Sequence, residues 1–146
     1  MTTVTAETHI DASPDVVFHA ISDIEGMPKT NPQVVRVAFL TEQRQGVGTR
    51  FRETRRMNGK EHHFDLEVRD FDAGARRVRY VTDTHGTTWD TTVSVSPDGD
   101  GARVHFAMAC LGRTALKRLL NRVLQGMYRR GMVEHVAVLK DYCESR

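Results

Sequence analysis

Residues 48–57 alternate in a way that bears on chemistry. Thr49, Phe51, Glu53, Arg55 and Met57 fall on one face of an extended segment, and Arg50, Arg52, Thr54 and Arg56 on the other. Successive side chains of a strand point to opposite sides. The first set holds the large apolar residues, so it should face a core, and it takes Glu53 and Arg55 inward with it. A carboxylate and a guanidinium so placed have two readings. They pair with one another or with a charge on a neighbouring strand, or they present charge to a molecule held inside. A buried pair often adds little net stability, so its presence alone does not choose between the two.

The same alternation runs through the segments that follow. It turns His62, Phe64, Leu66 and Val68 inward, then Val78, Tyr80 and Thr82, then Trp89, Thr91, Val93 and Val95, then Val104, Phe106 and Met108. The wall is mostly apolar with a few polar insertions, as in a small-molecule pocket. The candidate ligand-contact residues are Phe51, Glu53, Arg55, His62, Phe64, Tyr80, Trp89, Thr91, Phe106, Met108 and, from the C-terminal segment, Met127. The methionines supply adaptable packing. The expected ligand is hydrophobic and partly oxygenated.

No residue is assigned a catalytic role. Glu53 and His62 are the acid–base candidates, and each has a structural alternative, an ion pair and a wall residue respectively. His62 and His63 project to opposite sides of a strand and cannot share a metal, and no Cys/His spacing suggests zinc. His135 falls near the boundary of the helical face that would meet the cavity. Cys110 and Cys143 read as inert thiols. Gly46-Val47-Gly48 lacks a third glycine and precedes a strand, so a dinucleotide loop is not indicated. There is no Gly-x-Ser-x-Gly elbow. No cofactor is expected.

The elements that must position these residues follow from the same patterning. Val4, Ala6, Thr8 and Ile10 alternate over 3–11, which predicts a first strand. Ser13-Pro14 is a helix start, and Val17, Phe18 and Ile21 recur at helical spacing over 14–22. Gly26, Pro28 and Pro32 leave room for one more short helical piece. Turn signals, Asn58-Gly59 the strongest, then separate six predicted strands at 34–42, 48–57, 61–72, 76–84, 87–96 and 102–110. Their spacing is too tight for helical crossovers, so an antiparallel meander follows. Over 113–143, Leu116, Leu119, Leu120, Val123, Leu124 and Met127, then Val136, Leu139 and Cys143, recur at helical spacing. Arg113, Lys117, Arg118, Arg122, Arg129 and Arg130 fill the opposite face. The expectation is one long amphipathic helix lying along the sheet on its leucine face.

Composition bounds the rest. The 146 residues suit one domain spanning 1–146. Lys and Arg number 21 against 19 Asp and Glu, a net charge of +2, too small to argue for nucleic acid. No apolar run reaches the roughly 18 residues of a membrane span, so no integral membrane association is expected. The first residues lack the basic and apolar regions of a secretory signal. Two cysteines are too few for a disulfide framework, which makes the cytoplasm the default. The oligomeric state stays open, a homodimer included.

Strand, two short helices, six strands and a long closing helix is the order of the helix-grip fold, an α+β architecture. Ile10-Asp11-Ala12-Ser13-Pro14-Asp15-Val16-Val17-Phe18, Ile21-Ser22-Asp23-Ile24 with Pro28 after it, Gly46-Val47-Gly48-Thr49 and Leu139-Lys140-Asp141-Tyr142-Cys143-Glu144 carry the likeness further. On these residues the chain resembles the START-like (SRPBCC) superfamily, which includes the birch-pollen allergen class and the polyketide cyclase/dehydrase and lipid-transport family. Many such relatives carry an aromatic shortly after the Pro28 position, where this chain has Lys29-Thr30-Asn31. The resemblance implies a seven-stranded curved sheet around the long helix, with an apolar cavity between them. It implies binding of a lipid, quinone or polyketide-like molecule, or an aromatase/cyclase-type enzyme catalysing aldol closure and dehydration, or, third, a partner-binding protein using the basic outer face of residues 113–130, which otherwise reads as a solvated helix face. Fold alone does not choose between them.

Overall fold

The computed structural model describes residues 1–146. β1 (Thr2–Ile10) is followed by α1 (Pro14–Ser22) and α2 (Met27–Thr30). The chain then runs through β2 (Val34–Phe39), β3 (Arg50–Met57), β4 (Lys60–Asp72), β5 (Arg77–Thr84), β6 (Thr87–Asp98) and β7 (Gly101–Gly112), and closes with α3 (Ala115–Glu144). The strands form one antiparallel sheet in the order β1-β7-β6-β5-β4-β3-β2. This is the predicted helix-grip architecture.

Local chemistry accounts for the joints. Ser13 caps α1, its hydroxyl oxygen accepting from the Val16 amide at 3.2 Å, and Pro14 takes the first helical position. Asn58 and Gly59 both adopt positive φ, 55° and 76°, as the tight turn joining β3 to β4 requires. Register shifts in β4 between Val68 and Asp70, and in β2 between Val34 and Arg36, mark bulges, a device that bends and twists a sheet.

The pairing confirms the predicted alternation. Phe51 lies opposite Leu66, Glu53 opposite Phe64 and Arg55 opposite His62. Tyr80 lies opposite Val68 on one side and Thr91 on the other, and Thr91 opposite Met108. All these residues therefore share the face turned toward α3.

The helix departs from expectation in two ways. It follows the edge strand β1 and its neighbour β7, offset from the middle of the sheet. Its first half also presents a different face. Leu116, Leu119, Leu120, Val123 and Met127 are exposed, at 71%, 58%, 42%, 70% and 52%. The inward face instead carries Asn121, Leu124 and Tyr128, passing into Met132, Val136, Leu139 and Cys143. Leucine periodicity marks an apolar face without saying what covers it.

The two ends of α3 are held differently. At the C-terminal end, Met132, Val136, Leu139 and Cys143 join Val4, Ile10, Val104 and Phe106 in one buried cluster. The Lys140 Nζ donates to the His9 carbonyl at 2.9 Å, and Glu144 accepts from the Asp11 amide at 2.8 Å. At the other end, Thr114 caps the helix by accepting from the Lys117 amide at 3.1 Å. Gly112 of β7 lies under this first turn. A Cβ there would come within 2.7 Å of the Arg118 backbone nitrogen, so only glycine allows the approach.

Candidate functional site

The inner face between the sheet and the first half of α3 holds most of the predicted site. Of the candidates, Phe51, Glu53, Tyr80 and Phe106 are buried. Arg55, His62, Phe64, Trp89, Thr91 and Met108 face the helix yet remain partly accessible. Met127 does not belong with them. The inward phase of α3 passes through Leu124 and Tyr128, which puts Met127 on the outward flank.

Glu53 and Arg55 pair with each other. Glu53 Oε1 accepts from Arg55 Nε at 3.2 Å and lies 3.1 Å from Nη2. The carboxylate side chain is 4% exposed and the guanidinium 28%. Arg55 also donates to Gln33 Oε1 at 3.1 Å and lies 5.9 Å from the Phe64 ring centre. Glu53 Oε2 takes no hydrogen bond from the protein, so one carboxylate oxygen is held and the other is free to interact.

Tyr80 is committed elsewhere. Its hydroxyl donates to the Ile21 carbonyl at 2.8 Å, its ring meets Phe51 edge-on, and burial raises its pKa well above the ordinary value. It ties α1 to the sheet. The His62 ring, on the same face as Arg55, makes no hydrogen bond within the protein. His63, on the opposite side, has Nδ1 2.9 Å from the Thr54 hydroxyl.

Three residues of α3 face this region without having been singled out as site residues. Asn121 Nδ2 donates to the Thr87 hydroxyl at 3.3 Å, and Asn121 Oδ1 accepts from the Tyr128 hydroxyl at 3.0 Å. Tyr128 meets Trp89 edge-on, with ring centres 5.0 Å apart. About two turns further on, His135 keeps some solvent contact, but its ring lies edge-on to Phe106 at 4.9 Å. Burial, with the positive charge of Arg55 as a smaller influence, pushes the His135 pKa down to about 3. The imidazole is neutral at any ordinary pH. Asn121, Tyr128 and His135 recur every seven residues, a polar stripe that sequence reading could have found. Gln33 stands ahead of β2 with no comparable signal.

The buried Trp89 indole N–H has no hydrogen-bond partner. Orphaned buried donors are rare. The thiols of Cys110 and Cys143 are both pushed up to about 11 by burial, which makes them poor nucleophiles.

Two surface hollows lie outside this face. One of about 350 Å³ sits between α1, α2 and the end of α3, with Asp15, His19, Asp23 and Arg146 in its lining. Another, of about 200 Å³, is lined by Ser22, Glu25, Arg44 and Gln45 among others. Polar and charged residues outnumber apolar ones around both, unlike the inner face.

The family described as polyketide cyclase/dehydrase and lipid transport matches residues 1–140, and the chain belongs to it. No curated protein matches the sequence. Among solved structures, TTHA0849 from Thermus thermophilus superposes with a TM-score of 0.80 at 21% identity, over 99% of this chain and 98% of the other. The ZhuI aromatase/cyclase from Streptomyces sp. R1128 gives 0.80 at 16% identity, over 99% and 94%. A START superfamily protein from Mycobacterium smegmatis gives 0.65 at 16%, over 94% and 98%. These likenesses establish the fold. No helix of the protein is long and apolar enough to cross a membrane.

Proposed function

We propose that the protein binds a hydrophobic small molecule with an oxygenated end, such as a lipid, quinone or polyketide-like compound, between the sheet and the first half of α3. The observation that carries this is the combination on one apolar face of the buried Glu53–Arg55 pair and the unpartnered Trp89 N–H. Phe64, Leu66, Trp89 and Met108 on that face are only partly covered, as a ligand surface would be. Arg55 would hold the oxygenated end, and the phenyl, leucyl and methionyl side chains the apolar body.

An aromatase/cyclase-type reaction is the second reading. The neutral His135 favours it, because an unprotonated imidazole can accept a proton. A pKa near 3 makes that imidazole a weak base, and Tyr80 has its hydroxyl already engaged. The binding reading therefore takes precedence, in a reducing cytoplasm that suits two free, buried cysteines.

Native mass spectrometry of freshly purified protein tests the proposal. The expected result is a non-covalent adduct whose mass corresponds to an apolar compound, diminished several-fold in Arg55→Met. Purified protein with no adduct, and none after incubation with a fatty acid, a quinone or a multi-ring aromatic ketone, would overturn it. A bound multi-ring product would favour the cyclase reading.

A further inference from the structure

We propose that the first half of α3 is a peripheral docking surface for an anionic lipid bilayer. Leu116, Leu119, Leu120, Val123 and Met127 lie on one side of the helix, each between 42% and 71% exposed. Arg130 points within this apolar side and Arg122 flanks it, at helical angles of roughly 40° and 120° from its centre, and both are exposed. Residues 113–130 hold six basic and no acidic residues, so the rest of the chain carries 15 basic against 19 acidic. Of the six, Arg113 alone meets a carboxylate, that of Asp83 at 2.8 Å. A charge this segregated, on a chain of net charge +2, is a local device rather than a property of the whole surface.

The combination selects the occupant. Nucleic acid would use the arginines and leave the leucines in water. A second copy would bring one unpaired cationic helix against another, since no acidic residue lies on the segment to offset it. A helix lying in the plane of a bilayer uses both features: its apolar side enters the acyl boundary and its arginines meet lipid phosphates. The opposite side of the same segment carries Tyr128 and Asn121 at the inner face. Docking would therefore leave the helix between the membrane and the inner face.

Vesicle flotation tests this with the whole protein. Vesicles of 70% phosphatidylcholine and 30% phosphatidylglycerol are compared with pure phosphatidylcholine, at low and at 0.5 M salt. Expected are at least ten-fold tighter binding to the anionic vesicles, loss of most of it in high salt, and at least ten-fold weakening in both Leu119→Glu/Val123→Glu and Arg122→Glu/Arg130→Glu. The substituted positions are exposed, so the variants should keep the wild-type melting temperature. Their Trp89 emission response to ligands should also be unchanged, which separates failure here from failure of the ligand proposal. No binding to anionic vesicles, or binding indifferent to both pairs of substitutions, overturns the inference. So does a dimer in sedimentation that Val123→Glu dissolves while wild type ignores vesicles, or capture by an oligonucleotide in preference to vesicles.

Discussion

The two halves of α3 are one continuous helix built to different rules. From Met132 to Cys143 the inward residues other than His135 are apolar, nearly inaccessible and packed on β1, β7 and α1. From Ala115 to Tyr128 the inward side carries Asn121 and Tyr128 beside Leu124, the other leucines point away, and several of the sheet residues beneath keep partial exposure. The C-terminal half supplies stability. The N-terminal half is held by directed hydrogen bonds and an edge-on aromatic contact, with polar groups on its inward side. A region that closes a core and a region that would border the proposed ligand need opposite residues, and a single helix can supply both in sequence.

Truncating a leucine in each half should separate them most widely. Leu139→Ala should cost about 2–5 kcal/mol, as expected for a fully buried leucine. Leu116→Ala should stay within about 0.5 kcal/mol, as at exposed positions generally. Urea denaturation of both variants checks this, and similar losses would contradict the division.

A smaller effect is expected at the hydrogen-bonded end. Asn121→Ala leaves the Thr87 and Tyr128 hydroxyls without their partner and should cost about 1–3 kcal/mol. Hydrogen exchange should then rise over the first half of α3 and stay unchanged in the second.

Acid should act on the junction between the halves, where His135 sits. His135 has a folded pKa of about 3 against the usual 6.5, so the unfolded chain binds its proton first. Its contribution is fully present above pH 6.5 and is lost as the pH falls toward 3, with a slope of at most about 1.4 kcal/mol per pH unit. Asp65, Asp70 and Asp98, each held below the ordinary carboxylate range chiefly by a hydrogen bond from Arg52, Arg77 and His9 respectively, add losses in the same direction below about pH 4. Stability curves between pH 7 and 4.5 should therefore be flatter for His135→Phe than for wild type. An unchanged slope would show that the imidazole is not enclosed.

Much of the fold is legible in the sequence. Period-two alternation placed Glu53, Arg55, His62, Trp89 and Met108 on one face correctly, because a register error would have turned whole strands inside out. The turn at Asn58-Gly59 and the cap at Ser13 follow from backbone chemistry that needs no tertiary context. The face of α3 did not follow. Leu116, Leu120 and Val123 dominate its periodicity, and the usual inference sends such a stripe to the core. Here the inward stripe includes Asn121, Tyr128 and His135, whose polarity suits a face that meets Thr87, Trp89 and Phe106. The site residues missed were those whose roles depend on partners distant in sequence: Gln33 beneath Arg55, and Asn121 opposite Thr87.

An apolar molecule held between β3–β7 and the first half of α3 should announce itself optically. The protein has one tryptophan, Trp89, and it lies on that face, so its emission reports the space directly. Titration with a long-chain fatty acid, a quinone and a multi-ring aromatic ketone should give a saturable change with at least one of them, weakened several-fold in Arg55→Met. Emission that stays flat with all three would contradict the account.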